Sequence, residues 1–391
     1  MPELESDIIV IGGGMAGSAV AAHLSQHAKV QLLEMETQPG YHSTGRSAAL
    51  FSESYGNEII RALTRASRGF FFSPPEGFCE TALVKPRSVL IIAQEHQRAM
   101  LAHFKAGAET SGPIDEISAD QAVALCPILR RERVASALIS RSPADIEVHE
   151  LQQGYLRLLK ARGGRITTDA EVTGLARTSQ GWEVETRSAV YRAPRVVNAA
   201  GAWAGQIGAL AGAQEIGITP CRRTAMLIDA PAGYQTHDWP MLLDVEEQFY
   251  LKPDAGLLLL SPADETPVEP SDVQPEELDI AIAVDRLETA TTLQVRHVRR
   301  KWAGLRSFAP DRSPVVGYDT LQPGFFWLAA LGGYGIQTAP ALSALAARLV
   351  LDLGPGEVPA QFGIETSALD PTRLSPGVLR AAAAARGELG G

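Results

Sequence analysis

Cysteine is scarce. Three residues, Cys79, Cys126 and Cys221, stand far apart in 391 and match no metal-ligand spacing. That argues against a disulfide-stapled fold and a cysteine zinc site, and for reduced thiols in a cytosolic protein. None of the eight histidines has a partner spacing that suggests a triad or a metal centre. Cationic excess is missing too: 35 basic residues face 45 acidic ones, a net charge of −10. Nucleic acid is therefore not an expected partner. No apolar run is long and polar-free enough to span a bilayer; Phe325 to Leu331 comes closest, and glycines end it. The first apolar run begins at Ile8, is short and lacks a basic flank, so it reads as a strand and not as a signal peptide. The expected location is cytoplasmic, with peripheral contact at the inner face of a membrane left open. What remains is a composition of 45% hydrophobic and 20% charged residues, ordinary for a soluble enzyme and long enough for two domains.

The stretch from Asp7 to Glu34 carries the most information. An apolar run, Ile8 to Ile11, enters Gly12-x-Gly14-x-x-Gly17; a helical segment and a second apolar run, Val30 to Leu33, end in Glu34. This is the strand–turn–helix–strand–acid order of a dinucleotide-binding unit. Gly12 permits the tight turn, Gly14 lets a pyrophosphate approach the backbone, and Gly17 lets the helix pack close. Met15 and Ala16 open the helix, whose free N–H groups suit phosphate. Glu34 suits ribose hydroxyls and repels a 2′-phosphate.

Further along, α/β patterning recurs. Glu150 to Ala161 has helical periodicity, Arg165 to Thr168 and Ala170 to Leu175 suggest strands, and Trp182 to Thr186 with Ala189 to Arg192 suggest a hairpin. Arg195 to Asn198 reads as a buried strand, followed by a helix over Ala202 to Ala211. Ala82 to Ala93 and Thr219 to Pro262 read as antiparallel strands. Pro262 to Pro275 reads as a surface loop and Glu276 to Val298 as helix. Phe325 to Ala330 reads as a strand, and Gln337 to Leu351 as a closing helix after Gly332-Gly333-Tyr334-Gly335. The chain thus reads as two interleaved domains. One comprises residues 1–80, 145–215 and 315–378, the other 81–144 and 216–314, with a tail at 379–391.

Six stretches together resemble the FAD-dependent D-amino acid oxidase superfamily, and more narrowly bacterial D-arginine dehydrogenases and their D-amino acid dehydrogenase relatives. They are QPGYHSTGRSAA from Gln38, VVNAAGAW from Val196, HDWPML from His237, FYLKPDAG from Phe249, KWAGLRSF from Lys301 and GGYGIQT from Gly332. The resemblance implies an α/β fold: a Rossmann-type FAD-binding domain interleaved with an α+β substrate domain built on an antiparallel sheet. It implies non-covalent FAD as cofactor, since no cysteine follows Cys221. It also places Ser43, Thr44, Gly45, Arg46, Ser47 and Ala48 at the pyrophosphate and flavin edge. Val172, Ala200, Gly201, Trp203 and Gly304 would line the cofactor. Gly333, Tyr334, Gly335, Ile336, Gln337 and Thr338 would set a helix N-terminus against the flavin, where free N–H groups favour negative charge.

By the same resemblance, Arg223 and Arg306 would grip a substrate carboxylate, a task that suits the guanidinium fork. Tyr250 would donate to that carboxylate, and Tyr55 would lie on a mobile loop, Phe51 to Asn57. Where D-arginine dehydrogenases carry a glutamate and a histidine, this chain has Val89 and Leu50. A pocket of Leu50, Val89, Met241, Leu243 and Gly333 is expected to take uncharged, apolar or aromatic D-amino acids. Their oxidative deamination would give 2-oxo acids and ammonia, with quinone or oxygen as electron acceptor. A glycine- or sarcosine-type amine oxidase, or a non-catalytic FAD-binding module, are the other functions the residues allow.

Overall fold

Ile8–Ile11 and Val30–Leu33 lie side by side as parallel strands, joined by the helix Met15–Leu24. They sit in a six-stranded sheet of the computed structural model, which describes residues 3–109 and 112–375. The expected tail, 379–391, lies outside those residues. The strand order is Arg165–Thr167, Val30–Leu33, Ile8–Ile11, Arg195–Asn198, Phe325–Ala329, Val315–Tyr318, parallel except for the last pair. A parallel sheet of this kind is covered on both faces, and alternate residues show it. Ile8 and Val10 belong to a core with the helices Met15–Leu24, Val148–Ala161 and Gly335–Val350. Ile9 and Ile11 belong to a second core with the hairpin Gly181–Thr186/Val190–Ala193 and the helix Ala204–Ala211.

The glycine turn shows why these residues are glycines. Gly12 has φ +103, and a Cβ there would lie 2.5 Å from the Ala199 carbonyl oxygen. A Cβ on Gly17 would lie 1.8 Å from the Gly12 carbonyl oxygen.

The middle of the chain builds a nine-stranded sheet. Its long pair, Thr219–Ile228 with Val298–Phe308, is antiparallel. One pair departs from the expected antiparallel pattern: Met241–Asp244 runs parallel to Val89–Ala93. These strands are far apart in sequence, so no hairpin turn imposes antiparallel direction. A small sheet of Leu50–Phe51, Ala144–Ile146 and Val84–Pro86 ties segments of both expected domains together.

The helix expected over Glu276 to Val298 is shorter. It spans Glu277–Ala290, and Val298–Phe308 is strand. Thr291 turns its hydroxyl back onto the Leu287 carbonyl, and Thr292 N–H donates to Ile128 O at 2.7 Å, so the loop takes the next helical donor. The sequence patterns had not indicated the helices Glu58–Phe72 and Arg98–Glu109. Among the described residues, no helix is long and apolar enough to cross a membrane, and no His/Cys/Asp/Glu group could hold a metal ion.

Two side chains test this packing. His23 packs half-buried against the Tyr155 ring, its buried Nε2 without a partner, and desolvation, aided by Arg162, pushes its pKa down to about 4. The unfolded chain therefore binds the proton first, and the folded state loses stability as pH falls from about 6.5 toward 4. Chemical denaturation should show a loss of about 3 kcal/mol from this residue across that window, absent in His23→Phe. Gly17→Ala should destabilise by about 3 kcal/mol, because a methyl group must displace backbone; a denaturation midpoint equal to wild type would contradict this.

Candidate active site

A single cleft runs from the glycine turn to the nine-stranded sheet. Its volume is ≈ 380 Å³, within the roughly 300–1,000 Å³ of a ligand pocket. Its lining reaches from the glycine turn to the arginine-bearing strands.

At one end, Ile11, Gly12, Gly14, Met15, Ala16 and Glu34 line the cleft, with Val172, Ala200, Gly201 and Trp203 across from them. Glu34 is buried and accepts from Gly13 N–H at 2.7 Å and Glu36 N–H at 2.9 Å. Burial raises its pKa against those hydrogen bonds. Gly17 lies outside the lining; its part is the close helix–strand contact.

The segment 43–48 divides. Ser43 donates to Leu305 O at 2.6 Å, and Thr44 Oγ1 accepts from Met15 N–H at 3.0 Å. Both hydroxyls, expected to serve phosphate, are thus engaged by protein. Arg46 donates to Asp272 and to Ala303 O, and its carbonyl accepts from Trp302 Nε1. The segment is stitched to the strand Val298–Phe308. Gly45 does not line the cleft; a Cβ there would approach Gly40 O to 2.7 Å. Ser47 Oγ is buried without a partner, and so is Gln337 Nε2. Both residues line the cleft. Two orphaned polar atoms, a glycine cradle and a carboxylate facing it fit a bound dinucleotide.

The closing helix begins at Gly335, two residues earlier than its pattern suggested. Gly333, Gly335, Ile336 and Gln337 line the cleft. Tyr334 and Thr338 do not. The Tyr334 ring turns to Tyr55, with centroids 4.9 Å apart, and Thr338 Oγ1 donates back to Tyr334 O.

Register decides the other end. In the antiparallel pair Thr219–Ile228/Val298–Phe308, Arg223 stands opposite Gly304 and Cys221 opposite Arg306. Opposed residues share a sheet face, so Arg223, Ala225, Gly304 and Arg306 all face the cleft. Arg222, one residue before Arg223, points away to Glu276 and Asp279. A backbone bond from Gly332 N to Ser307 O at 2.8 Å brings the closing turn alongside. A Cβ on Gly333 would come within 2.7 Å of the Arg306 guanidinium.

The two arginines differ in their partners. Arg223 is already engaged, donating to Asp264 O at 2.7 Å and Glu265 Oε1 at 2.9 Å. Arg306 donates to Tyr55 OH at 3.2 Å and has no carboxylate partner among the described residues. Burial opposes its charge, the phenols of Tyr55, Tyr250 and Tyr334 favour it, and the balance lies upward, so it stays cationic. Around it, Leu50, Val89, Met241, Leu243 and Tyr250 line the cleft. Ile91, Phe104, Ser140, Glu247 and Ala263 also line it and were not foreseen. Ile91 follows Val89 by two, so strand period alone could have found it. Glu247 arrives on a turn with φ 55, which no periodicity marks.

Comparison with known proteins agrees with this architecture. The family model described as FAD dependent oxidoreductase matches residues 7–349. Glycine oxidase of Geobacillus kaustophilus (strain HTA426) is 23% identical over 385 residues, covering 91% of this chain and 97% of that protein. The structure of L-proline dehydrogenase from P. horikoshii superposes with a TM-score of 0.77 at 21% identity, over 95% of this chain and 98% of that one. L-alpha-glycerophosphate oxidase from Mycoplasma pneumoniae, with FAD bound, gives 0.78 at 19% identity, over 89% and 95%. These matches do not single out the D-arginine dehydrogenase branch, so the resemblance stands at the level of the superfamily. With its glycine cradle, its facing carboxylate and its orphaned cleft groups in place, the chain belongs to the FAD dependent oxidoreductase family, and FAD is its cofactor.

Proposed function

We propose that this flavin-dependent oxidoreductase deaminates D-amino acids with uncharged, apolar or aromatic side chains. The products are 2-oxo acids and ammonia. The observation that carries the proposal is Arg306: a cation without a carboxylate partner among the described residues, beside a phenol, facing an apolar wall. Such a charge in a low-dielectric cleft is poised for an anionic ligand group. A substrate carboxylate completes it, with Tyr55 and Tyr250 as neighbouring hydroxyls and Arg223 as a further N–H source.

The flavin supplies the redox chemistry, accepting the hydride that leaves Cα. The chain's own residues orient and select. Arg306 fixes the carboxylate, and Leu50, Val89, Ile91, Met241 and Leu243 exclude water and receive the side chain. The amino group enters neutral, so its lone pair forms the C=N bond as the hydride departs and no side chain takes the Cα hydrogen as a proton. Water then hydrolyses the imine. The D configuration rests on the family resemblance. A dehydrogenase, passing electrons to a quinone-type acceptor, is proposed over an oxidase. The glycine- or sarcosine-type amine oxidase is the second function in play, favoured by the glycine oxidase likeness, and FAD binding without turnover is the third.

An anaerobic panel separates them. D-Leucine, D-methionine and D-phenylalanine should bleach the flavin band with higher kcat/KM than D-arginine, D-lysine, glycine or sarcosine. Preference for glycine or sarcosine would replace the proposal, and no bleaching by any compound would mean a binding module. Arg306→Met should lower kcat/KM by about a hundredfold or more, chiefly through KM. None of the three cysteines lines the cleft, so acid precipitation should release the flavin; a yellow pellet would contradict non-covalent FAD.

A further inference from the structure

Three arginines line the cleft, and their charges are not equally available. Arg46 is paired with Asp272 and Arg223 with Glu265, while Arg306 has no carboxylate partner among the described residues. The Glu265 pairing is built into the fold. Arg223 is 8% exposed, and its Nη2 lies 2.9 Å from Glu265 Oε1. The other oxygen, Oε2, accepts from Arg312 Nη2 at 2.8 Å, and the Arg312 guanidinium sits 3.9 Å from the Phe308 ring centroid. The preceding residue is held as firmly: Asp264 accepts from Thr224 N–H at 2.6 Å and Thr224 Oγ1 at 3.1 Å. Glu265 therefore cannot drift from Arg223 without breaking bonds on both sides.

We propose that Glu265 is a specificity-determining residue: it neutralises Arg223 in advance, so that the substrate anchor presents one net positive charge and selects amino acids with a single carboxylate. This rests on the carboxylate-anchor role proposed for Arg306. Were both guanidiniums uncompensated, a monocarboxylate would leave one buried cation unpaired, an unfavourable state, and a dicarboxylate would match the site better. Arg312, the second partner of Glu265, is half exposed, so water screens its charge; within the cleft, Arg223, Arg306, Glu265 and one substrate carboxylate make a neutral set. A second would meet the apolar wall or Glu247, which also lines the cleft. Arg223 gives Nε and Nη2 to protein acceptors, so Nη1 is the donor group it would offer the ligand while its charge is already matched. Dicarboxylic amino acids such as D-aspartate and D-glutamate are thus poor substrates despite two cleft-facing arginines.

The test needs no turnover. Acetate and malonate are titrated into the FAD-loaded enzyme and followed by perturbation of the flavin absorbance. Glu265→Gln should shift the ratio of affinities toward malonate by about tenfold or more, whereas Glu265→Asp, which keeps the charge, should hold the wild-type ratio. Arg223→Met removes one cleft-facing positive charge, leaves Glu265 to the half-exposed Arg312 alone, and should weaken acetate by a similar factor. The double variant Arg223→Met/Glu265→Gln restores the charge balance around Arg306 and should recover acetate binding to within about threefold of wild type. A residue that merely orients Arg223 would give no such rescue. An unchanged ratio in Glu265→Gln, an equal shift in Glu265→Asp, or a double variant as weak as Arg223→Met overturns the proposal. So does a wild-type enzyme that binds neither anion. Failure of the proposed reaction appears separately, as a flavin that no amino acid bleaches while the anion series still follows charge.

Discussion

The backbone hydrogen bond from Gly332 to Ser307 joins two bodies of structure at the point where the site needs them joined. Gly332 lies in the loop between the strand Phe325–Ala329 and the helix Gly335–Val350; Ser307 is the next-to-last residue of the strand Val298–Phe308. Their contact sets the Arg306 guanidinium over Gly333, where any side chain would collide with it. Other contacts between these bodies follow the same line. Ser43 bonds Leu305, Arg46 bonds Ala303, and Trp302 bonds Arg46. The strand Val298–Phe308 is thus laced along one edge to the segment that follows the glycine turn, and the cleft lies between.

Charge within that cleft is organised by pairing and not by composition. The chain is acidic overall, yet three arginines face the cleft. Two are matched by carboxylates from the 264–272 loop, Glu265 and Asp272. That loop looks in sequence like a Pro- and Asp-rich surface connection; in the fold it supplies counter-ions to the site. Arg222, adjacent to Arg223, is matched on the opposite sheet face by Glu276 and Asp279. Strand alternation separates the two neighbours into unrelated roles.

Much of the architecture was legible because its signals are local. The run Ile8–Ile11, the glycine turn and Val30–Leu33 announce their own conformations, since positive φ at Gly12 and close packing at Gly17 depend on neighbours within a few residues. The same holds for Arg195–Asn198 and Phe325–Ala329. The helix after Glu276 was overextended because its end is set by a loop some 160 residues earlier, through the Thr292–Ile128 bond. The hydroxyls of Ser43 and Thr44 could be recognised as donors and acceptors, but not the fact that Leu305 and Met15 engage them. The superfamily was readable from six dispersed motifs, whereas its narrower branch was not, because branch identity rests on a few pocket positions.

The sequence by itself determined the dinucleotide unit, the order of elements and the residue types available for a site, because propensity, turn chemistry and periodicity act over short spans. Tertiary structure alone decided which of those residues meet. Register across the pair Thr219–Ile228/Val298–Phe308 put Arg223 and Arg306 on one face. Glu265, 42 residues beyond Arg223, decided that its charge is matched, while Arg306 has no carboxylate partner among the described residues. Such pairings depend on distances between segments remote in the chain, and those distances exist only once the sheets have packed.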